Sequence, residues 1–153
     1  ASYYLRGMSN SISTNNAPKP VGSYPHARRV GGLLFLSGVG PRIAGSGTND
    51  SKVPGLELSA DGEVINYDIA AQVHAVFANV KAVLEASGSS WEELVDVTVF
   101  LTNMSRDFSE FNRIYAEYFS DLGDKRPCRT TVEINCLPTP IAIELKCIAT
   151  IKS

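Results

Sequence analysis

The feature that most constrains the fold is a strict alternation of apolar side chains close to the C-terminus. Six of them occupy every second position over residues 141–151: Ile141, Ile143, Leu145, Cys147, Ala149 and Ile151. A period of two residues places them on one side of an extended chain and does not fit a helix. Residues 94–101 repeat the pattern with Val95, Val97, Val99 and Leu101. The sequence therefore predicts two strands that share one buried sheet face.

Two further segments carry apolar residues at helical spacing. The first has Ile69, Val73, Val76, Phe77, Val80 and Leu84 on one face. Asp68 is its predicted N-cap and Gly88 its predicted C′ residue. The second has Asp107 and Glu110 at capping-box spacing, followed by an aromatic stripe of Phe108, Phe111, Tyr115, Tyr118 and Phe119. Both stripes are typical of helix faces packed against a core rather than of a cofactor site.

The remaining segments complete an α+β pattern. Gly31 and Gly32 separate residues 28–30 from 33–37, which predicts a hairpin, and residues 129–134 form another strand. Residues 38–68 predict a long loop with a short strand at 64–65. The order strand, strand, helix, strand, helix, strand, strand indicates two helices packed on one face of a mixed sheet. The other sheet face is half polar, which suits self-association.

Length and composition favour one globular domain over residues 17–153. We expect residues 1–16 to form a flexible N-terminal segment, with Met8 a candidate for the natural first residue and 1–7 added ahead of it. A net charge of −2 and a pI near 5.7 argue against a general nucleic-acid binder. No apolar run reaches membrane-spanning length, and we see no signal peptide.

The three cysteines favour a reduced, cytoplasmic protein, because their number is odd and no secretory signal is present. Their spacing matches no zinc motif, and we expect no metal. The sequence also lacks a P-loop, a dinucleotide fingerprint and a Gly-x-Ser-x-Gly elbow.

Arg129 and Glu144 are the candidate catalytic pair. An arginine can fork onto a carboxylate, and a glutamate can hold or deprotonate water. The alternatives are a solvated Arg129 or one paired with Glu133, and a Glu144 paired with Lys146. The other candidates, each of which also has a plain structural explanation, are Tyr24 and His26 in one loop, Gly38 after a strand, Arg42 beyond it, Asn112 beside the aromatic stripe, and Thr131 on the face of Arg129.

These residues sit in motifs that resemble the RidA/YjgF family of imine and enamine deaminases. The resemblance covers residues 21–151 and rests on Gly22-Ser23-Tyr24-Pro25, Leu36-Ser37-Gly38, Asn79-Val80-Lys81, Phe111-Asn112-Arg113, and Arg129 with Val132-Glu133, Leu137-Pro138 and Glu144. It implies a chorismate-mutase-like fold and a homotrimer with ligand sites between subunits. It also implies that Arg129 binds a substrate carboxylate, that Glu144 activates water, and that Tyr24, Gly38 and Asn112 border the pocket.

Within that family the chain looks most like the 2-aminomuconate deaminase branch. This resemblance implies hydrolysis of 2-aminomuconate to 4-oxalocrotonate and ammonia in the degradation of aromatic compounds. No cofactor is expected, because an imine is already electrophilic. Arg42 is the candidate for the second substrate carboxylate, with His26 and Arg28 weaker candidates. Many family members carry cysteine where Thr131 stands, so a thiol-based role is not expected here.

Two other functions stay open at this point. One is a broad deaminase of 2-iminoacids and enamines, which would use the same Arg129 and Glu144. The other is a non-catalytic module that binds a carboxylate metabolite. A ribonuclease is the least favoured, because the chain is acidic and lacks a basic stripe.

Overall fold

A six-stranded mixed sheet forms one layer of the structure, a computed structural model that describes residues 10–46 and 52–152. Its strands are β1 (Ser11–Ile12), β2 (Ala27–Val30), β3 (Leu33–Leu36), β6 (Leu94–Leu101), β7 (Cys128–Glu133) and β8 (Ile143–Thr150), and β4 (Glu57–Leu58) and β5 (Val64–Asn66) form a separate hairpin. The order in the sheet is β1-β2-β3-β8-β6-β7. Strands β6 and β7 run parallel, and the other neighbours are antiparallel.

Two helices, α1 (Ile69–Ala86) and α2 (Met104–Phe119), cover one face of this sheet. Asp68 caps α1 as predicted, because its Oδ1 accepts the Ala71 N–H at 3.2 Å. Gly88 follows the helix with a φ of 77°, a left-handed conformation that glycine adopts without strain. The predicted α+β architecture with two helices on a mixed sheet is thus confirmed. No helix in the described ranges is long and apolar enough to cross a membrane.

The alternating residues of β8 form the centre of the core, as predicted. Ile143, Leu145, Cys147 and Ala149 are at most 1% exposed, and the apolar face of α1 packs over them. Val97, Val99 and Leu101 extend the same face across β6. Residues between them, such as Glu144, point to the uncovered face, because successive side chains of a strand alternate.

The prediction for Val95 was wrong. Val95 is 44% exposed, and the pairing of β6 with β8 shifts register between Leu94 and Asp96. A β-bulge places an extra residue in one strand, so the alternation that holds from Val97 onward does not extend back to Val95.

The start of α2 also differs from the prediction. The helix begins at Met104, and its N-cap is Asn103, whose Oδ1 accepts the Arg106 N–H at 3.1 Å. Asp107 is fully buried and accepts the Tyr67 hydroxyl at 2.6 Å instead of capping the helix. Its partner in the expected capping box, Glu110, forms an ion pair with Arg113 at 2.7 Å.

The last two strands are not each other's neighbours. β6 lies between β7 and β8, so the proline-containing segment that joins them crosses a strand instead of making a tight turn. The predicted short strand at 64–65 is present as β5. Residues 10–16 contribute β1, and Ile12 joins the core, which differs from the flexible N-terminal segment predicted over residues 1–16. Residues 1–9, with Met8, and residues 47–51 lie outside the described residues.

Candidate functional site

The Glu144 carboxylate lies directly against Gly38. A Cβ atom built on Gly38 would stand 2.8 Å from Glu144 Oε1 and 2.9 Å from its Cδ, which is closer than real Cβ atoms approach. Two backbone hydrogen bonds of 2.9 Å between Val39 and Leu145 hold the two segments in this register. A side chain at position 38 would therefore displace the carboxylate end of Glu144, and glycine lets the backbone and this carboxylate lie in close contact.

Five of the predicted site residues line one small cavity of about 60 Å³. They are Tyr24, His26, Gly38, Arg42 and Glu144, which come from three separate parts of the sequence. Burial raises the pKa of the Glu144 carboxyl above its usual range, and the positive charge of Arg42 offsets part of that rise. The cavity thus holds a carboxylate that accepts protons more readily than one in water, beside a cation.

His26 has a structural role within this wall. Its Nδ1 accepts the backbone N–H of Thr14 at 3.2 Å, so that nitrogen carries no proton. The proton is on Nε2, which donates to the Pro18 carbonyl at 2.8 Å. Both ring nitrogens are thus engaged in holding residues 14–18 against the cavity, and a ligand contact by His26 would have to replace one of these bonds.

Arg42 and Tyr24 also line this cavity. Arg42 Nη2 donates to the Lys19 carbonyl at 2.7 Å, which orients the guanidinium toward the N-terminal segment. Tyr24 is 43% exposed and leans on Gly22, where an added Cβ would lie 3.0 Å from the ring.

Two buried amides, Asn79 and Gln72, hold the cavity walls in place, a role that was not predicted from the sequence. Asn79 Nδ2 donates to the carbonyls of Gly40 and Arg42 at 2.8 and 2.7 Å. Gln72 Oε1 accepts the Ala142 N–H at 2.8 Å, two residues before Glu144. The sequence offers one signal for this role. Both amides lie among apolar positions of a predicted helix, and a buried amide needs hydrogen-bond partners.

The other catalytic candidate, Arg129, lies elsewhere. It pairs with Val97 in the β6–β7 ladder and projects toward α2, where its Cζ stands 4.6, 5.4 and 5.9 Å from the ring centroids of Tyr115, Phe111 and Phe108. These distances are within the range of cation–π attraction. The rings therefore hold the guanidinium at the edge of the sheet.

Thr131 lies on the same strand face as Arg129, and Asn112 is exposed on α2, one turn from Phe108. Neither lines the Glu144 cavity. In the described part of the chain, the buried Thr131 Oγ1 and Tyr115 Oη have no hydrogen-bond partner. Burial also raises the pKa of Tyr115 to about 12, so its hydroxyl stays protonated.

Arg129 and Glu144 therefore do not meet within one chain. Glu144 pairs with Phe100 and Arg129 with Val97, so the two side chains leave the sheet on opposite faces. Two strand spacings and a three-residue offset separate their Cα atoms by about 10 Å across the strands and about 10 Å along them. In the described ranges 10–46 and 52–152, no group of three His, Cys, Asp or Glu side chains could hold a metal ion.

Comparisons with known proteins agree on one family. Residues 14–151 match the family model described as endoribonuclease L-PSP. A RutC family protein from Pyrococcus horikoshii is 39% identical over 142 residues, which cover 93% of this chain and 98% of that protein.

Solved structures share the fold. The yjgF gene product of E. coli superposes with a TM-score of 0.76 at 31% identity, covering 94% of this chain and all of that one. E. coli TdcF, described with bound serine, has a TM-score of 0.76 at 27% identity and covers 93% of this chain and 98% of its own.

Proposed function

The chain belongs to the RidA/YjgF family, and we propose that it hydrolyses the imine or enamine form of a small 2-amino acid and releases ammonia. The observation that carries this proposal is the Glu144 carboxylate, half-buried against Gly38 with a raised pKa. A carboxylate in such a place can hold a water molecule and take its proton.

The reaction consumes only the substrate and one water molecule. The enamine first tautomerises to an imine at the carbon beside the substrate carboxylate. Water attacks this imine carbon while Glu144 takes a proton from the water. A C–O bond forms, and the C=N electron pair moves to nitrogen. Return of that proton to nitrogen gives a carbinolamine, which carries OH and NH2 on the same carbon. Transfer of the hydroxyl proton to nitrogen then lets the C–N bond break, so that ammonia leaves and the C=O group of a 2-oxoacid forms.

Arg129 would bind the substrate carboxylate through its two-pronged guanidinium. Since it lies on the opposite sheet face from Glu144, we propose that the site forms between copies of the chain. Arg129 of one copy would meet Glu144 of the next in a homotrimer. A cyclic head-to-tail assembly satisfies this arrangement because each copy then offers one half of two sites.

Several features support such an assembly. Among the described residues, no helix packs on the sheet face that bears Glu144, and this face mixes polar side chains with half-exposed Phe35, Phe100 and Ile148. The Thr131 hydroxyl, which has no partner among the described residues, lies on the strand face of Arg129, where a substrate or a second copy would supply an acceptor.

For the substrate we keep 2-aminomuconate as the specific proposal and small 2-iminoacids as the broader one. A dicarboxylate needs a second cation, and Arg42 stands in the cavity with Glu144. The relatives named above are described as RutC, YjgF and TdcF proteins, and those descriptions do not mention 2-aminomuconate. The specific substrate therefore depends on the resemblance of the motifs and on Arg42.

A paired turnover assay tests the proposal. One arm uses 2-aminomuconate generated in situ, the other a 2-iminoacid made from a short aliphatic amino acid, and ammonia release is followed in both. Preference for 2-aminomuconate that is lost in Arg42→Ala supports the dicarboxylate substrate. Equal turnover in both arms supports the broad deaminase. Carboxylate binding without turnover in either arm would overturn the catalytic proposal in favour of a binding module.

A further inference from the structure

A second, larger cavity lies next to the Glu144 cavity. Its volume is about 430 Å³, within the range of small-molecule sites. It shares three wall residues, Pro138, Thr139 and Ile141, with the first cavity. The proposed deamination makes no use of it.

Gln72 is the unusual residue of this wall. The residue is fully buried, and its Oε1 accepts the Ala142 N–H at 2.8 Å. That bond fixes the amide orientation, because only the oxygen can accept a backbone N–H. The Nε2 group is left with two N–H donors and has no partner among the described residues. Since buried donors are almost always satisfied in proteins, this amide calls for an acceptor that the described chain does not supply.

The other wall residues restrict what that acceptor can belong to. Half of the lining is apolar and comes mainly from one loop: Val64, Leu137, Pro138, Pro140, Ile141 and Ala142. No Lys, Arg, His, Asp or Glu is among the described residues that line it, whereas the first cavity contains Arg42 and Glu144. An anion would therefore enter this cavity without a countercharge, which is unfavourable.

Tyr67 gives the cavity one rigid side. Its hydroxyl donates to the buried Asp107 at 2.6 Å, and Arg106 Nη2 donates to its carbonyl at 2.7 Å. The Arg106 guanidinium also lies 3.9 Å from the centroid of the Tyr67 ring. Tyr67 is thus held in place by contacts with α2. Burial raises the pKa of its hydroxyl to about 12, so this hydroxyl stays protonated.

We propose that this cavity is a second binding site, for a small neutral molecule whose carbonyl oxygen accepts from Gln72 Nε2 and whose apolar part packs on the proline loop. The ligand class is that of uncharged amides, esters and ketones. It differs from the carboxylate ligand proposed for the Glu144 cavity, and this inference does not depend on the deaminase activity.

The probe for this site is N,N-dimethylacetamide, and acetate, which has the same acyl group with a charge, is the control. The chain contains a single glutamine, so its side-chain NH₂ gives one distinct signal pair in a ¹⁵N spectrum. We expect the amide probe to move these signals and those of residues 135–142 with saturation, and to give NOEs to Ala142. Acetate should leave them in place.

Gln72→Glu provides the matched variant, because it keeps an oxygen for the Ala142 N–H and removes the N–H donors. We expect it to weaken binding of the probe at least tenfold, while Arg42→Ala leaves that binding unchanged. Where Gln72→Glu does not fold, the NOEs to the wild-type protein decide the question. Absence of saturation, equal shifts with acetate, or an ordered water as the sole partner of Gln72 would overturn the proposal.

Discussion

The Glu144 cavity and the Arg129 patch, which we define as Arg129 with Phe108, Phe111 and Tyr115, are built in different ways. The cavity is formed by backbone hydrogen bonds, by a glycine that only just clears the carboxylate, and by two helix amides. The patch consists of a cation on an edge strand held by three aromatic rings. The Glu144 half of the proposed site is therefore enclosed within the chain, whereas the Arg129 patch lies at the edge of the sheet, where the proposed second copy would meet it.

The largest effect is expected from Glu144→Gln. It keeps the shape of the side chain and removes the base, so kcat should fall by about 10²- to 10⁴-fold with little change in KM. Steady-state kinetics of ammonia release measure it. Glu63→Gln, at an exposed glutamate, is the control and should behave as wild type. Undiminished turnover in Glu144→Gln would remove Glu144 from the mechanism.

The second-largest effect is expected at Arg129, and it tests whether Arg129 and Glu144 of one site come from different copies of the chain. Arg129→Ala should raise KM by about 10²-fold, because it removes a charge-assisted pair of hydrogen bonds. Arg129→Ala and Glu144→Gln proteins, each strongly impaired at substrate concentrations near the wild-type KM, should regain about one quarter of wild-type activity there when unfolded together and refolded at equal amounts, if each site takes one residue from each of two copies. No recovery in properly assembled mixtures would mean that the site does not form between copies.

Gly38→Ala should have a smaller effect, confined to the Glu144 side. The new Cβ would push the carboxylate away, and we expect kcat to fall about tenfold with only a small loss in the free energy of unfolding, because the displaced atoms are the end of a flexible side chain. Gly32→Ala is a matched control, since a Cβ there meets nothing within 4 Å. Chemical denaturation and kinetics of the two variants give the comparison, and equal behaviour would contradict the close contact.

A change in the rings should act on the Arg129 side alone. Tyr115→Leu removes the nearest ring, and we expect KM to rise about two- to fivefold, as a cation–π contact of about 0.5–1 kcal/mol implies. Tyr115→Phe keeps the ring and discards a hydroxyl that has no partner among the described residues, so it should keep wild-type KM. A comparable rise in both variants would show that the hydroxyl matters and the ring does not.

The smallest effect concerns pH. Since Glu144 must be ionised to act as base, kcat/KM should fall as the pH drops through its raised pKa. Arg42 lowers that pKa, so Arg42→Ala should shift the acid limb to higher pH, and Arg42→Lys should restore it. The sign for stability is opposite to that for activity: a carboxyl whose pKa is raised by folding destabilises the native state as pH rises through that value. A pH–rate profile that moves to lower pH in Arg42→Ala would contradict this assignment.

Much of the fold could be predicted because it depends on local pattern. The alternation in β8, the stripe of α1 and the caps at Asp68 and Gly88 all follow from residues close in sequence. The bulge that exposes Val95 and the cap at Asn103 could not be predicted in this way. The first depends on the pairing of β6 with β8, and the second on Asp107 being buried against Tyr67, which is distant in sequence.

For the site, the residue types and their motifs are enough to predict the chemical groups: a carboxylate, a guanidinium and a glycine. Their arrangement in space depends on the way the strands pair. The insertion of β6 between β7 and β8, together with the two-residue period of strands, places Arg129 and Glu144 on opposite faces. Neither the strand order nor the buried amides Asn79 and Gln72 can be deduced locally, because both depend on which distant segments meet across the core.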